Sequence, residues 1–265
     1  MKKAIGWLVV VVLLVGTATA LYLWQQNPAP APQVLKPIET PRPPSAQVEP
    51  SIRYPIPDEG MQAESKPLPP LNESDQAVGN ALSGFLGQQW FKKFFNPQEI
   101  VRNIVVTIDN LPRKTVAVRL LPVNPVGGKF LIRGKEDSLS ISPENAARYA
   151  PYVRIAEMAD AKKLVAIYVH FYPLFQRAYQ DLGYPDGYFN DRLIAVIDHL
   201  LAGPEVNGPV TLVQPHVLYQ FADPDLEAAS AGNKILLRMG AENAEKIKSK
   251  LREIRRELTG RTMEK

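Results

Sequence analysis

The chain has 265 residues, 45% of them apolar and 22% charged, so its composition is that of a globular protein with one substantial core. The formal net charge of +4 arises mostly in the last 28 residues, which carry nine basic and five acidic side chains, and no nucleic-acid partner is expected from it. The absence of cysteine excludes disulfides and thiolate metal sites, and it fits an oxidising compartment.

The first predicted element is a transmembrane signal-anchor in residues 1–24. Ile5 to Trp24 carry no charge, and a helix of twenty residues spans roughly 30 Å, the thickness of a bilayer core. Lys2 and Lys3 precede this run, so the positive-inside rule predicts a cytoplasmic N-terminus and a periplasmic domain in the bacterial inner membrane. Ala18-Thr19-Ala20 offers an alternative, the cleavage site of a signal peptide, and either interpretation exports the domain.

Residues 25–70 are predicted to be a disordered, proline-rich linker. They contain thirteen prolines in 46 positions and almost no apolar periodicity, so they cannot bury enough surface to offset their ordering entropy. In polyproline II geometry, at about 3.1 Å per residue, the linker would reach on the order of 100 Å. Its role is either that of a spacer that lifts the domain off the membrane or that of a passive connection.

The remaining residues, 71–265, are predicted to form a globular α+β domain that is mostly helical, with a helical core and a small antiparallel sheet. Helices are predicted where apolar residues recur at helical spacing between capping and stop residues. Strands are predicted where short β-rich runs lie between turn residues. The predicted helices are 74–86, 96–108, one that begins at Ser142, 161–182, 193–201 and 241–258, with a helical turn at 224–230. The predicted strands are 116–121, 129–132, 139–141, 210–213, 217–221 and 234–238.

The predicted helix 161–182 has two adjacent apolar stripes and is assigned as the central helix of the core. Pro173 falls opposite these stripes, on the solvent side, where it would bend the helix around the core. One stripe consists of Leu164, Ile167, Phe171, Leu174, Ala178 and Leu182, and the other of Tyr168, Tyr172, Phe175 and Tyr179.

The C-terminal helix carries apolar residues at alternating spacings of three and four, surrounded by lysines and arginines. Its apolar stripe covers just over two heptads, which is short for a coiled coil. Docking onto its own domain is therefore expected. A homodimer through this helix and contact with anionic lipid are the alternatives. The stripe consists of Ala244, Ile247, Leu251, Ile254 and Leu258.

Several segments between Leu71 and about Leu258 resemble an uncharacterised bacterial family, domain of unknown function three thousand and fourteen. The resemblance implies a membrane-anchored envelope protein and supplies no activity, so no functional residue is carried over. The segments are Val106-Thr107-Ile108-Asp109-Asn110-Leu111-Pro112, Asn145-Ala146-Ala147-Arg148-Tyr149, Tyr172-Pro173-Leu174, Ala178 to Pro185, Phe189-Asn190-Asp191 and Leu236-Leu237-Arg238-Met239-Gly240.

Motifs of catalysis and cofactor binding are missing from the sequence. Gly127-Gly128-Lys129 lacks the upstream glycine and the following Ser or Thr of a phosphate-binding loop, and there is no nucleophile elbow or zinc-protease motif. No cofactor, metal ligand or catalytic residue is therefore assigned. His170 and His199 are predicted to face solvent, and His216 has no assigned role.

Two functional hypotheses follow from these observations. The first is a non-enzymatic binding or scaffold domain whose partner is another envelope protein or a cell-wall component. The second is a hydrolase of cell-wall polymer that uses paired carboxylates. Its candidate acids are Asp109, Glu144, Glu157, Asp186, Asp191 and Asp198, and spacing singles out none of them.

Eight residues are candidates for the binding site, because tyrosine and arginine in loops are common anchors of interfaces. The alternative is that these side chains close the edge of the core and cap helices. The candidates are Asn145, Arg148 and Tyr149 on one helix and Tyr184, Tyr188, Phe189, Asn190 and Asp191 in and after a Gly- and Pro-rich turn.

Overall fold

A computed structural model describes residues 52–56, 67–135, 138–206 and 208–260. The predicted anchor, residues 1–24, and most of the predicted linker lie outside these ranges. Of the helices inside them, none combines the length and the hydropathy that a membrane span requires.

Helices dominate the described part of the chain, which confirms the predicted class. It contains ten α-helices and two short 3₁₀ helices at Leu71–Glu73 and Val118–Leu120. The α-helices are α1 (Asp75–Leu86), α2 (Gln88–Phe94), α3 (Ile100–Asn110), α4 (Glu144–Met158), α5 (Ala161–His170), α6 (Tyr172–Asp181), α7 (Phe189–Leu201), α8 (Pro224–Ala228), α9 (Ala231–Met239) and α10 (Ala241–Gly260).

The predicted sheet is present as two short antiparallel hairpins. Strand β1 (Ile132–Arg133) pairs with β2 (Ser140–Ile141), and β3 (Leu212–Val213) pairs with β4 (Gln220–Phe221). Two main-chain hydrogen bonds join the hairpins. The N–H of Ile141 donates to the carbonyl of Val210 at 3.0 Å, and the N–H of Leu212 donates to the carbonyl of Leu139 at 2.8 Å.

Two predicted strands are helical in the structure. Residues 116–121 include a 3₁₀ helix instead of a strand. Residues 234–238 belong to α9, where the Ser230 side chain accepts a hydrogen bond from the N–H of Asn233 and so caps the helix. The run Ile235-Leu236-Leu237 suits a strand or a helix by hydropathy alone, and the serine cap decides for the helix.

The predicted central helix is broken into α5 and α6 at Phe171. A proline at position 173 removes the N–H that a continuous helix would donate to the carbonyl of Val169, and its ring crowds that carbonyl. Pro173 instead lies in the first turn of α6, and it is exposed as predicted. The buried residues of α5 also differ from the prediction: they are Val165 and Val169 and not members of the predicted Leu164 stripe.

The start of α3 differs from the predicted cap at Asn96 to Glu99. The helix begins at Ile100, preceded by Glu99 in the left-handed region at φ 48°. The carboxylate of Asp75 accepts the N–H groups of Glu99 at 2.7 Å and Ile100 at 2.9 Å. An acid from α1 therefore caps α3, which sequence spacing alone does not reveal.

The main core lies between α1, α3, α5, α6 and α7. Its least exposed members include Ile100, Val105, Val165, Phe189 and Ile194, each at 1% exposure or less. Helix α10 packs against α4, α5 and α7, so docking of the C-terminal helix on its own domain is confirmed. A smaller core beneath α10 contains Val153, Val196, Leu200, Leu236 and Met239.

Candidate functional site

Residues 52–56, within the range predicted as linker, contact the start of α7. Asp191 accepts the main-chain N–H groups of Arg53 (3.0 Å) and Tyr54 (2.9 Å) through its two carboxylate oxygens. The Asn190 amide donates to the carbonyl of Tyr54 at 2.8 Å. The N–H of Ile56 donates to the Tyr188 hydroxyl at 2.7 Å, and the Ile56 side chain joins the main core at 7% exposure. We refer to Tyr188, Asn190 and Asp191 as the clamp.

The clamp is held in place by side chains of α5 and α6. Tyr168 donates its hydroxyl to the carbonyl oxygen of the Asn190 side chain at 3.2 Å, which directs the amide nitrogen toward Tyr54. Gln176 accepts the N–H of Phe189 at 2.9 Å and donates to the carbonyl of Gly187 at 2.7 Å. These bonds fix the turn before α7.

Every hydrogen bond from the clamp to residues 53–56 is made to the main chain. Pro55 lies between two such contacts and has no N–H to offer, so proline at this position costs no clamp contact. The two oxygens of one carboxylate, one amide donor and one hydroxyl acceptor hold a segment that bends at Arg53 and Tyr54. The site has the chemistry of a binding surface for main chain.

Two tyrosines beside the clamp, Tyr172, which is buried, and Tyr168, which is half-buried, make the domain sensitive to high pH. Burial, and secondarily the neighbouring Tyr188, raises the pKa of Tyr168 well above its usual value. The pKa of Tyr172 is raised by burial first and by its hydrogen bond with Tyr188 second. Because these pKa values are raised in the folded state, the stabilisation is complete below the ordinary tyrosine pKa, about 10, and is lost as the pH rises above it.

We therefore expect the domain to unfold cooperatively at a pH above about 10. Phenolate absorbance and circular dichroism, followed in one alkaline titration, should show the last two tyrosines ionising together with the loss of helix. Ionisation of all tyrosines before any loss of helix would contradict this. Tyr168→Phe removes one titrating group and should move the transition to higher pH after correction for its neutral-pH stability.

Tyr184 lies in a buried ion-pair network with Asp109, not in the clamp. The Asp109 side chain is 4% exposed, and its carboxylate accepts bonds from Arg113 (2.6 Å), Arg192 (3.0 Å) and the Tyr184 hydroxyl (3.3 Å). Arg192 also donates to the main-chain carbonyl of Asp109 at 2.9 Å. The charge of Asp109, and then its hydrogen bond, raises the pKa of Arg113, so Asp109 acts as an acceptor between two cations.

Asn145, Arg148 and Tyr149 serve a different part of the domain. Asn145 is fully buried and bonds through its side chain to both main-chain groups of Leu131. Arg148 donates to the carbonyls of Gly127 and Gly128 at 2.9 Å, and Tyr149 packs on the smaller core. The structure thus brings Tyr188, Asn190 and Asp191 together on one segment, with Phe189 in the core behind them. The other four candidates lie elsewhere, and whether any of them binds a ligand stays a prediction.

The histidines do not form a catalytic group in the described part of the chain. His199 was predicted to face solvent, but it is half-buried and its Nε2 lies 2.9 Å from the Ser230 hydroxyl. His170, also predicted to face solvent, is half-buried too, with its ring edge-on to that of Phe171. His216 is exposed. Across the described ranges, no three His, Asp or Glu side chains are grouped to hold a metal.

A cleft of about 690 Å³ lies between the hairpins and the junction of α9 with α10. Two of its acids are paired with lysines: a hydrogen bond from Lys248 lowers the pKa of Glu205, and one from Lys246 lowers the pKa of Glu242. A glycosidase acid needs a raised pKa to hold its proton at neutral pH. These two acids do not fit that role, and none of the eight predicted binding residues lines the cleft.

Sequence analysis did not identify residues 52–56, Tyr168 or Gln176 as part of a site. One signal for the segment was present, because apolar residues alternate with others in Ile52-Arg53-Tyr54-Pro55-Ile56, as in a half-buried extended strand. The surrounding prolines obscured it.

Comparison with known proteins gave one match. The family model described as "Protein of unknown function (DUF3014)" matches residues 100–255, from α3 into α10, and therefore includes the clamp but not residues 52–56. No curated protein and no solved structure matches the chain.

Proposed function

Because this chain belongs to the DUF3014 family, whose function is unknown, we propose a role from its own chemistry: a membrane-anchored protein of the bacterial cell envelope with a non-enzymatic binding domain. Ile5 to Trp24 would hold it in the inner membrane by a single span, with the N-terminus in the cytoplasm and the domain in the periplasm. The uncharged run and the two preceding lysines support this part of the proposal.

The clamp is the observation that carries the binding role. It holds a bent segment by its main chain with four hydrogen bonds, and a buried isoleucine adds an apolar contact. Three of the candidate acids act as hydrogen-bond acceptors. The carboxylates of Asp109 and Asp198 accept from arginine side chains, and that of Asp191 accepts from main-chain N–H groups. Such acids suit recognition better than proton transfer, so binding is favoured over hydrolysis.

Photo-cross-linking in cells tests this proposal. A photoreactive amino acid replaces Arg53, which is exposed beside the clamp, or Arg154, which is exposed on α4 and serves as the matched control. We expect the full-length protein to fractionate with the inner membrane, and the probe at residue 53 to capture the same one or two envelope proteins repeatedly. The probe at residue 154 should not capture them.

Two outcomes would contradict the proposal. Recovery of the protein in the cytoplasmic fraction would exclude the anchor and the periplasmic location. Identical cross-links from both positions, or none from either, would count against a partner-binding surface near the clamp.

A further inference from the structure

The contacts of the clamp define what kind of segment it accepts. Two consecutive N–H groups, those of Arg53 and Tyr54, bind the same carboxylate, and the carbonyl of Tyr54 binds Asn190. One carboxylate reaches two consecutive N–H groups because the chain bends at Arg53 and Tyr54, so this set of bonds fixes the direction and the register of a bent segment. Another peptide with the same bend could therefore form the same bonds.

Selectivity comes from Tyr54 and the two positions that follow it. The Tyr54 side chain is half-buried and packs against the main core. Ile56 is buried in the main core, so this position requires an apolar side chain. Pro55 is exposed and has no N–H to donate, so proline is accepted there. Ile52 and Arg53 are exposed and set little side-chain preference. The preferred ligand is a bent segment in which an aromatic residue and a proline precede a buried apolar residue.

The segment that occupies the clamp in this structure is part of the same chain. Any partner must therefore compete with a covalently attached segment. A covalently attached segment competes at an effective concentration on the order of millimolar. A second protein held at the same membrane surface also has a high local concentration. Its segment can therefore compete with the attached segment for the clamp.

From these contacts we infer that the clamp is an exchangeable peptide site, closed by residues 53–56 until a bent aromatic-Pro-apolar segment of another envelope protein replaces them. This inference rests on the proposed binding function and names the ligand class and the regulation of its site. Residues 53–56 then act as an internal competitor that limits binding to partners with a high local concentration.

The test uses the full-length protein in detergent and a fluorescent peptide with the sequence of residues 50–58. In Ile56→Asp the attached segment can no longer bury its side chain, so it should leave the clamp free. Arg53→Ala is the matched control in the same segment, because Arg53 contributes only its main-chain N–H. Fluorescence anisotropy measures the dissociation constant of the peptide, and circular dichroism checks that each variant is folded.

We expect Ile56→Asp to bind the peptide at least about tenfold more tightly than the wild-type protein and Arg53→Ala do, since the internal competitor is removed. Adding Asp191→Asn to Ile56→Asp should reverse the gain, because one acceptor of the clamp becomes a donor. A peptide with aspartate in place of isoleucine should not bind.

Equal peptide affinity in the wild-type protein and Ile56→Asp would overturn the inference, as would equal binding of the aspartate peptide. If peptide exchange fails while cross-linking from residue 53 still captures a partner, the proposed binding function stands and only the exchange is excluded. If no partner is captured but the peptide exchanges as expected, the proposed function fails and the property of the clamp remains.

Discussion

Replacement of Phe189 by alanine is expected to lower the free energy of unfolding by about 3–5 kcal/mol, the usual cost of truncating a buried aromatic residue. Phe189 is completely buried. Its ring stacks on Phe175 at 6.0 Å between centroids and contacts Tyr179 at 5.5 Å. The cavity left by alanine would lie directly behind the clamp, so the variant should also bind residues 53–56 less firmly.

Urea unfolding of the full-length protein, followed by circular dichroism, measures this change. Leu218→Ala is the control, because it removes a large apolar side chain that is 76% exposed, and it should change stability by less than about 0.5 kcal/mol. Similar effects of the two substitutions would show that Phe189 does not contribute to the core as the structure indicates.

Asp109→Asn is expected to destabilise the protein by about 2–3 kcal/mol, because it removes a buried charge from between two cations. Asparagine keeps the size of the side chain but places an NH₂ group among donors. Arg192 is 29% exposed and Arg113 is 53% exposed on their side chains, so water relieves part of the cost. The effect should therefore be at the lower end for a buried pair.

Asp181→Asn is the matched control for this prediction. Asp181 also pairs with two arginines, Arg102 and Arg177, but its side chain is 30% exposed. Surface pairs of this kind contribute at most about 1 kcal/mol. If both substitutions lower the free energy of unfolding in urea by the same amount, the burial of Asp109 does not explain the stability that its ion pairs provide.

Helices with an unambiguous amphipathic pattern were predicted well from the sequence. Helix α7 was recognised from Leu193 to Leu201, and α10 from Ala241 to Leu258, because their apolar residues recur at a spacing that only a helix places on one face. Short apolar runs do not distinguish a helix from a strand. Residues 234–238 suit a strand as well as a helix, and only the cap at Ser230 distinguishes them.

Interactions between distant segments could not be predicted. The proline at 173 was placed correctly on the solvent side, but whether it bends or breaks a helix depends on how the two halves pack. The sequence did not distinguish Asp109 from the other five candidate acids. Its partner Arg192 lies 83 positions later in the chain, and only the fold shows that the two side chains meet. Tyr188, Asn190 and Asp191 were identified as candidates, whereas the segment that they hold lies more than 130 residues away.

The position of residues 52–56 also affects the distance between the domain and the membrane. If residues 5–24 span the bilayer as proposed, 27 residues separate position 24 from Ile52 while the clamp is closed, and they reach about 80 Å in extended form. With the clamp open, 46 residues precede Leu71 and reach about 140 Å. While the clamp is closed, a pulling force from the membrane would load α7 through the clamp first, and exchange of the segment would lengthen the connection at the moment a partner binds.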